Sequence, residues 1–185
     1  MTSTIQQQFK IKEELTLGVG RAAPDFQLQT ETGEYWRLSA QRGRIVVLLI
    51  YPKDETFVCT RQMCSLRDNW EHYARTGAMI VGVSPGTAGD HKSFSEHHSL
   101  PIPLLADVER RVTDTYSTHW FYPPYFMRTV VVIDAKGVIR KRDVMLRTFR
   151  PTDNSVIASI YSARAEESSD RYPTLGKSRM SYYRV

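Results

Sequence analysis

Cysteine is scarce in this chain: two among 185 residues, at positions 59 and 64. That excludes a disulfide-built secreted scaffold. A bridge between the two closes so short a loop that little stability follows from chain entropy. Any use of the pair therefore points to chemistry. Long apolar runs are also missing. The longest, Ile45 to Tyr51, is seven residues, whereas a membrane-spanning helix needs about 20. No membrane span is expected. The first 15 residues carry no apolar signal core, and Lys10, Lys12, Glu13 and Glu14 read as polar surface. A reducing, cytoplasmic interior is the expected compartment. No internal repeat is present. Leu, Ile, Val and Phe make up about a quarter of the chain, above the roughly 20% that marks disorder.

What is present fits one domain with terminal additions. The reading divides the chain into a leader or edge element over 1–19, a folded domain over 20–164 and an irregular tail over 165–185. The net charge is +5, and it is local. Between 136 and 150, Lys136, Arg140, Lys141, Arg142, Arg147 and Arg150 face only Asp143. A solvated strand face accounts for such a strip. A nucleic-acid surface would also be basic, but aromatic interleaving is lacking, so nucleic acid is not expected as a partner.

The apolar pattern alternates between strand and helix. Phe26–Leu28 and Tyr35–Leu38 flank Thr32-Gly33-Glu34, a hairpin signal. Ile45–Tyr51 is continuously apolar and β-branched, as in a central strand covered on both faces. Cys59, Met63, Leu66, Trp70 and Tyr73 recur at helical spacing until Gly77. Ala78–Ser84 and Val130–Asp134 read as further buried strands. Asp90–His98 reads as a helix. Asp107 is placed to cap a helix carrying Val108, Val112 and Tyr116 on one face. The turn Ala135-Lys136-Gly137 leads into a hairpin partner over 138–142. Asp153 is placed to cap a last helix with Val156, Ile157, Ile160 and Tyr161 facing inward. Strands alternating with helices predict an α/β protein built as a three-layer sandwich.

Chemistry concentrates in Tyr51-Pro52-Lys53-Asp54-Glu55-Thr56-Phe57-Val58-Cys59-Thr60-Arg61-Gln62-Met63-Cys64. A strand ends, a loop follows, and Cys59 falls at the start of a helix. Free N–H groups and the positive dipole end gather there. A free thiol ionises near pH 8.5 and is about 3% thiolate at pH 7, and such surroundings favour the anion. Thr56 stands three residues before the sulfur with a hydroxyl to offer it. The bland alternative is that Cys59 is a small buried hydrophobe on an apolar helix face. Five residues of ideal helix separate the Cα atoms of Cys59 and Cys64 by about 8.7 Å, beyond the roughly 7 Å limit of a disulfide. The two can join only if the helix unwinds locally. A thioredoxin-type C-x-x-C has no such requirement. Zinc is not expected: His72, His91, His97, His98 and His119 form no ligand spacing with the cysteines. Adjacent His97 and His98 are expected to point apart on a helix, as surface residues.

At these residues the chain resembles the peroxiredoxins, the thiol peroxidase branch of the thioredoxin-like superfamily. Pro52-x-x-x-Thr56-x-x-Cys59 matches that family's motif. The Cys64 spacing is similar to that of the Q-type, or bacterioferritin-comigratory, subfamily. Ala23-Pro24-Asp25-Phe26, Tyr51-Pro52-Lys53-Asp54, Gly82-Val83-Ser84, Pro103–Asp107 and Arg128-x4-Ile133-Asp134-x-x-Gly137 follow in the family's order over residues 20–148. The resemblance implies a thioredoxin-like fold, with a central mixed sheet, helices on both faces and an added N-terminal hairpin. It implies Cys59 as the peroxidatic cysteine and Cys64 as the resolving cysteine. Thr56 would bond the peroxide oxygens, Pro52 would shield the thiolate, and Arg128 would hold both thiolate and peroxide. Hydrogen peroxide and organic hydroperoxides are the implied substrates. Thioredoxin or a similar dithiol is the implied reductant, no cofactor or metal is implied, and the chain would be a monomer or dimer.

The chain departs from the family pattern in places. Phe57-Val58 stands where Pro-Gly is common, and Val130-Val131 where Thr-Phe is usual. The aromatic run Trp120–Met127 reads as an apolar wall for alkyl hydroperoxides, a subunit contact, or ordinary loop packing. Two other classes of function compete with the enzyme. One is a redox-switched binding module using the basic strip or aromatic loop; the other is a scaffold with an unreactive thiol.

Overall fold

Five successive buried residues, Val46–Ile50, form the central strand β3. Its β-branched, all-apolar composition suits a position with both faces covered. A computed structural model describes residues 17–119 and 121–171. The remaining strands are β1 (Gln27–Thr30), β2 (Tyr35–Arg37), β4 (Met79–Ser84), β5 (Leu104–Ala106), β6 (Met127–Ile133) and β7 (Ile139–Leu146). The helices are α1 (Phe57–Asp68), α2 (Trp70–Arg75), α3 (Ala88–His98), α4 (Arg111–Tyr116) and α5 (Asp153–Arg171). The strands make one mixed sheet in the order β2-β1-β5-β4-β3-β6-β7. β3 runs parallel to β4 and antiparallel to β6. This is the α/β, thioredoxin-like architecture with its N-terminal hairpin β1–β2.

Alternation along β3 divides the core into two layers. Val47 and Leu49 pack with Met63 of α1, Tyr73 of α2, Phe94 of α3 and Ile160 of α5. Val46, Leu48 and Ile50 pack with Val112 and Tyr116 of α4 and with Trp36 and Leu38 of the hairpin side. Gly82 in β4 leaves room for the side chains of Leu104 in β5 and Tyr51 at the end of β3. A Cβ there would come within 2.6 Å of Leu104 Cδ2 and 3.2 Å of Tyr51 Cε1. Overpacking of this kind costs about 1–3 kcal/mol. Gly82→Ala is expected to lower the urea midpoint correspondingly, and an unchanged midpoint would show that the layer gives way freely.

The register places the chemistry. Ile50 pairs with Thr129, so Arg128 falls one position beyond the carboxyl end of β3, where the loop to α1 begins. Residues 69 apart in the chain meet there.

Several expectations need correction. The helical pattern from Cys59 to Tyr73 is two helices broken at Asn69, whose amide side chain donates to the Ser65 carbonyl at 2.9 Å. Asp153 opens α5 but does not cap it. Its carboxylate accepts from Ser65 Oγ (2.5 Å), Tyr73 Oη (2.8 Å) and Asn69 Nδ2 (3.3 Å), while Thr152 Oγ1 takes the capping bond from Ser155 N. Asp107 does serve α4, accepting from the amides of Val112 and Thr113. Val108 and Tyr161, expected inside, are exposed. The tail was expected to be irregular from 165, yet α5 continues to Arg171. Ala165, Glu166 and Glu167 are strong helix formers, and with Ala165 and Glu166 exposed this stretch needs no apolar period. Residues 1–16 of the leader expected over 1–19, Trp120, and residues 172–185 of the tail expected over 165–185 lie outside the described residues.

Candidate active site

Thr56 ends the loop after β3 and precedes the first residue of α1 in extended conformation (φ −86°, ψ 142°). Its carbonyl accepts from Thr60 N at 2.9 Å, starting the helix. Cys59 is therefore in the first turn, where amide groups lack intrahelical acceptors. Its side chain is buried among the apolar residues of α1, as the bland reading required, but a cation accompanies it. Arg128 Nη2 donates to Cys59 Sγ at 3.0 Å. The same guanidinium donates through Nη1 to Gln62 Oε1. Gln62 lies three residues after Cys59, hence on the same helix face. Arg128 itself is fully buried. A buried cation is costly unless it is paired or hydrogen-bonded, so its position is firmly specified.

Cys59 reaches the wall of an open cavity of about 510 Å³. Pro52, Thr56, Phe57, Val58, Tyr125 and Arg147 also line it, with Lys53 and Arg110. Thr56 Oγ1 donates to the Lys53 carbonyl at 3.2 Å and borders the cavity. Arg128 lies behind the sulfur and is not among the lining residues. Tyr125, in a 3-10 turn over Pro124–Phe126, supplies an aromatic wall. Arg110 sits over its ring at 5.4 Å, and Arg147 lies over Phe126 at 5.0 Å. A thiol, a buried guanidinium and an apolar-walled opening form a setting for nucleophilic attack on a small polar group carried by an apolar or polar body.

Known proteins resolve the class. The AhpC/TSA family model matches residues 19–142. The protein belongs to this family, the peroxiredoxins. Peroxiredoxin Bcp of Bacillus subtilis is 40% identical over 134 residues, which is 69% of this chain and 85% of the relative. Chloroplastic peroxiredoxin Q of Triticum aestivum is 36% identical over 126 residues, 65% of this chain and 56% of the relative. The crystal structure of peroxidoxin BcpB from Mycobacterium tuberculosis superposes with a TM-score of 0.66 at 28% identity, covering 80% of this chain and 97% of the other. The reduced 2-Cys peroxiredoxin of Plasmodium vivax has a TM-score of 0.68 at 20% identity, covering 81% and 98%; that likeness concerns the fold alone. The chain is thus a thioredoxin-dependent peroxidase that takes a hydroperoxide and a thiol reductant. No described helix is long and apolar enough to cross a membrane.

This peroxiredoxin holds its loop with a buried polar chain that the sequence did not reveal. Tyr51 Oη donates to Asp54 Oδ1 at 2.7 Å. Asp54 Oδ2 lies 2.5 Å from His91 Nδ1, and His91 Nε2 lies 3.3 Å from the Ser84 carbonyl. With an acceptor at each ring nitrogen, the imidazole is arranged to donate twice, as the cation does. Burial alone would lower its affinity for the proton, but the Asp54 hydrogen bond and charge outweigh burial and raise it above the usual 6.5. Burial, then Asp54, pushes the Tyr51 hydroxyl well above its usual range, so it remains a donor. His91 is therefore no surface residue. A histidine whose proton affinity rises on folding adds stability that is complete below about pH 6.5. That stability is lost as pH climbs through the raised value. The thermal midpoint of the parent protein relative to Asp54→Asn should show its largest advantage at pH 5.5–6.5 and a smaller one by pH 9. A difference that is flat with pH would remove His91 from the account.

Cys64 faces away from this cavity, toward the end of α3. Its Sγ lies 3.8 Å from His98 Nδ1. His97 and His98 do not point apart: their rings stack at 4.4 Å, and both reach Glu55. His97 Nδ1 to Oε1 and His98 Nε2 to Oε2 are each 3.2 Å. The side-chain atoms of Glu55, His97 and His98 lie within 4.8 Å of one another, a closeness that the two hydrogen-bond contacts to the one carboxylate explain. Both rings turn toward the one carboxylate from the last turn of the helix, which ends at His98. Of the five residues expected in the site, Pro52, Thr56 and Cys59 meet at the cavity, Arg128 backs the sulfur, and Cys64 stands apart in the same helix. The basic strip behaves as a strand face. Arg140 pairs with Asp134 (2.7 Å) and Lys141 with Asp143 (3.0 Å), while Arg142 donates to the Tyr116 carbonyl at 2.9 Å.

Proposed function

We propose that Cys59 is the peroxidatic residue and that an intramolecular disulfide with Cys64 carries the cycle. The Cys59 thiolate attacks the terminal oxygen of a hydroperoxide. The O–O bond breaks, the departing alkoxide or hydroxide takes a proton, and Cys59 becomes a sulfenic acid. The 3.0 Å contact between Arg128 and Cys59 carries this reading, because a fixed guanidinium favours the thiolate and stabilises negative charge as it moves to oxygen. Thr56, on the cavity rim, offers a hydroxyl to the same oxygens, and Pro52 limits water at the sulfur. The opening admits hydrogen peroxide, and its Phe57, Val58 and Tyr125 walls suit the alkyl part of organic hydroperoxides.

Both cysteines are free in the described state, and α1 is continuous between them. Resolution therefore needs the first turns of α1 to open. Asp153 fastens the helix from Ser65 onward, so the opening falls on residues 57–64. Cys64 then attacks the Cys59 sulfur, and thioredoxin or a similar dithiol reduces the bridge by exchange. A reducing, cytoplasmic compartment supplies that donor.

Peroxide consumption driven by thioredoxin, its reductase and NADPH tests the reading; an inert reduced wild type would overturn it. One equivalent of peroxide should give the Cys59–Cys64 disulfide in wild type. In Cys64→Ser it should give a sulfenic or over-oxidised Cys59 without a bridge. Wild-type amounts of a Cys59 disulfide within the Cys64→Ser chain are impossible, so a Cys64→Ser enzyme recycling at the wild-type rate would assign resolution to an external thiol.

A further inference from the structure

Glu55, His98 and Cys64 form a chain of contacts that no step so far has used. The Cys64 sulfur is 3.8 Å from one ring nitrogen of His98, and the Glu55 carboxylate is 3.2 Å from the other. Hydrogen bonds from His98 and then His97 hold the Glu55 carboxyl below the usual range, so it is an acceptor at neutral pH. An acceptor at Nε2 requires Nε2 to carry hydrogen, which leaves the Nδ1 lone pair directed at the sulfur when the ring is neutral. The ring is held on several sides. It stacks on His97, and Phe94 meets it edge-on at 4.9 Å. Arg67 Nη1 donates to the His98 carbonyl at 2.8 Å. Glu55 reaches this position from a left-handed backbone (φ 53°), a conformation uncommon for a residue with a Cβ. The loop that leads into α1 is thereby tied to the surroundings of Cys64.

We propose that His98, oriented by Glu55, is the general base that takes the thiol proton of Cys64 and readies it to resolve the Cys59 sulfenic acid. This rests on the assignment of Cys64 as the resolving residue. His98 Nδ1 accepts the proton while α1 is still helical. When the first turns open, the sulfur leaves as a thiolate and the imidazolium stays paired with Glu55. The thiolate attacks the Cys59 sulfur, the S–S bond forms and the S–O bond breaks. The departing hydroxide takes a proton and leaves as water. Cys64 is oxidised from thiol to disulfide, and Cys59 is reduced from sulfenic acid to disulfide. The arrangement is that of a nucleophile, a base and a carboxylate that fixes the base's tautomer.

The groups facing His98 are Glu55 from the loop, Cys64 and Arg67 from α1, and His97 beside it on α3. Arg67 is itself paired with Asp68 at 2.8 Å. The test is rapid-quench mass spectrometry of disulfide formation after one equivalent of hydrogen peroxide, from pH 5.5 to 9. His98→Gln should slow the bridge-forming step at least about ten-fold at pH 7, general bases being worth about 10²–10⁴. It should also displace the rise in rate to higher pH. Glu55→Gln should give an intermediate loss and His97→Gln little change. Added imidazole should restore part of the rate in His98→Ala. The rate of Cys59 oxidation in each variant is the internal reference for folding. Wild-type rate and pH profile in His98→Gln would overturn the relay while leaving the disulfide assignment intact. Absence of the bridge in wild type would instead overturn that assignment. Should His98→Gln not fold, Glu55→Gln decides: its side chain is exposed, and an unshifted pH profile there also rejects the relay.

Discussion

Cys59→Ser is expected to abolish peroxide-dependent NADPH oxidation in the thioredoxin-coupled assay, leaving only the rate of the blank. Oxygen cannot replace sulfur here for two reasons. A hydroxyl is almost wholly protonated at neutral pH, and no accessible oxidation level of serine corresponds to a sulfenic acid. The substitution changes little else. Serine is of similar size, and Arg128 Nη2, which donates to Sγ at 3.0 Å, retains an acceptor. The chain should fold, keep its thermal midpoint within a few degrees and lose chemistry alone. Cys64 remains in this variant as a control. Turnover above the blank would show that Cys64, not Cys59, meets the peroxide.

Arg128→Gln has the second-largest expected effect, a fall of about 100-fold or more in the second-order rate of Cys59 oxidation. Removing one preorganised donor from a developing oxyanion costs about 10²–10³ in rate, and about 2.7 kcal/mol at the lower end of that range. Here the donor also partners Gln62. Truncation leaves a buried amide short of a bond, so about 1–3 kcal/mol of stability should be lost too. Urea denaturation separates the two effects, because the rate is read well below the unfolding midpoint. Arg128→Lys should not restore the rate. One ammonium lacks the planar fork that serves the Cys59 sulfur and the Gln62 oxygen together. A rate within about three-fold of wild type in Arg128→Gln would reduce Arg128 to a packing residue.

The sequence made some of this architecture readable and hid the rest for physical reasons. β3 announced itself because seven consecutive apolar residues have few other uses. The start of α1 followed from a strand end, a polar loop and a return to helical spacing. The separation of Cys59 from Cys64 was fixed by helix geometry alone. Arg128 was different: no spacing selects it from the other arginines, and only its family likeness did so. The structure adds the cause, the antiparallel register that sets residue 128 beyond Ile50. Asp54 with His91 and Gln62 with Arg128 are tertiary pairs, 37 and 66 residues apart. Pairs of that kind leave no period in a sequence. His97 and His98 were misread because both rings turn to one carboxylate, Glu55, which lies 42 and 43 residues away in the chain. The continuation of α5 past residue 164 was missed because Ala165 and Glu166, both exposed, keep their helix propensity without an apolar stripe.

The strip that carries the whole charge excess has a further consequence. Strand β7 is the outer member of the sheet. Among the described residues, 20–22 pair with its beginning, through Gly20 N to Ile139 O and Ile139 N to Arg21 O. An outer strand is the place where a second chain can add to a sheet, and here Arg140, Lys141, Arg142 and Asp143 stand on it in succession. Lateral growth would crowd those charges against their copies, and dense charge on a bordering strand is a common guard against fibrous assembly. Neutralising three of them would be expected to convert a quiet border into a sticky one, at no loss to the thiol chemistry on the opposite side of β6.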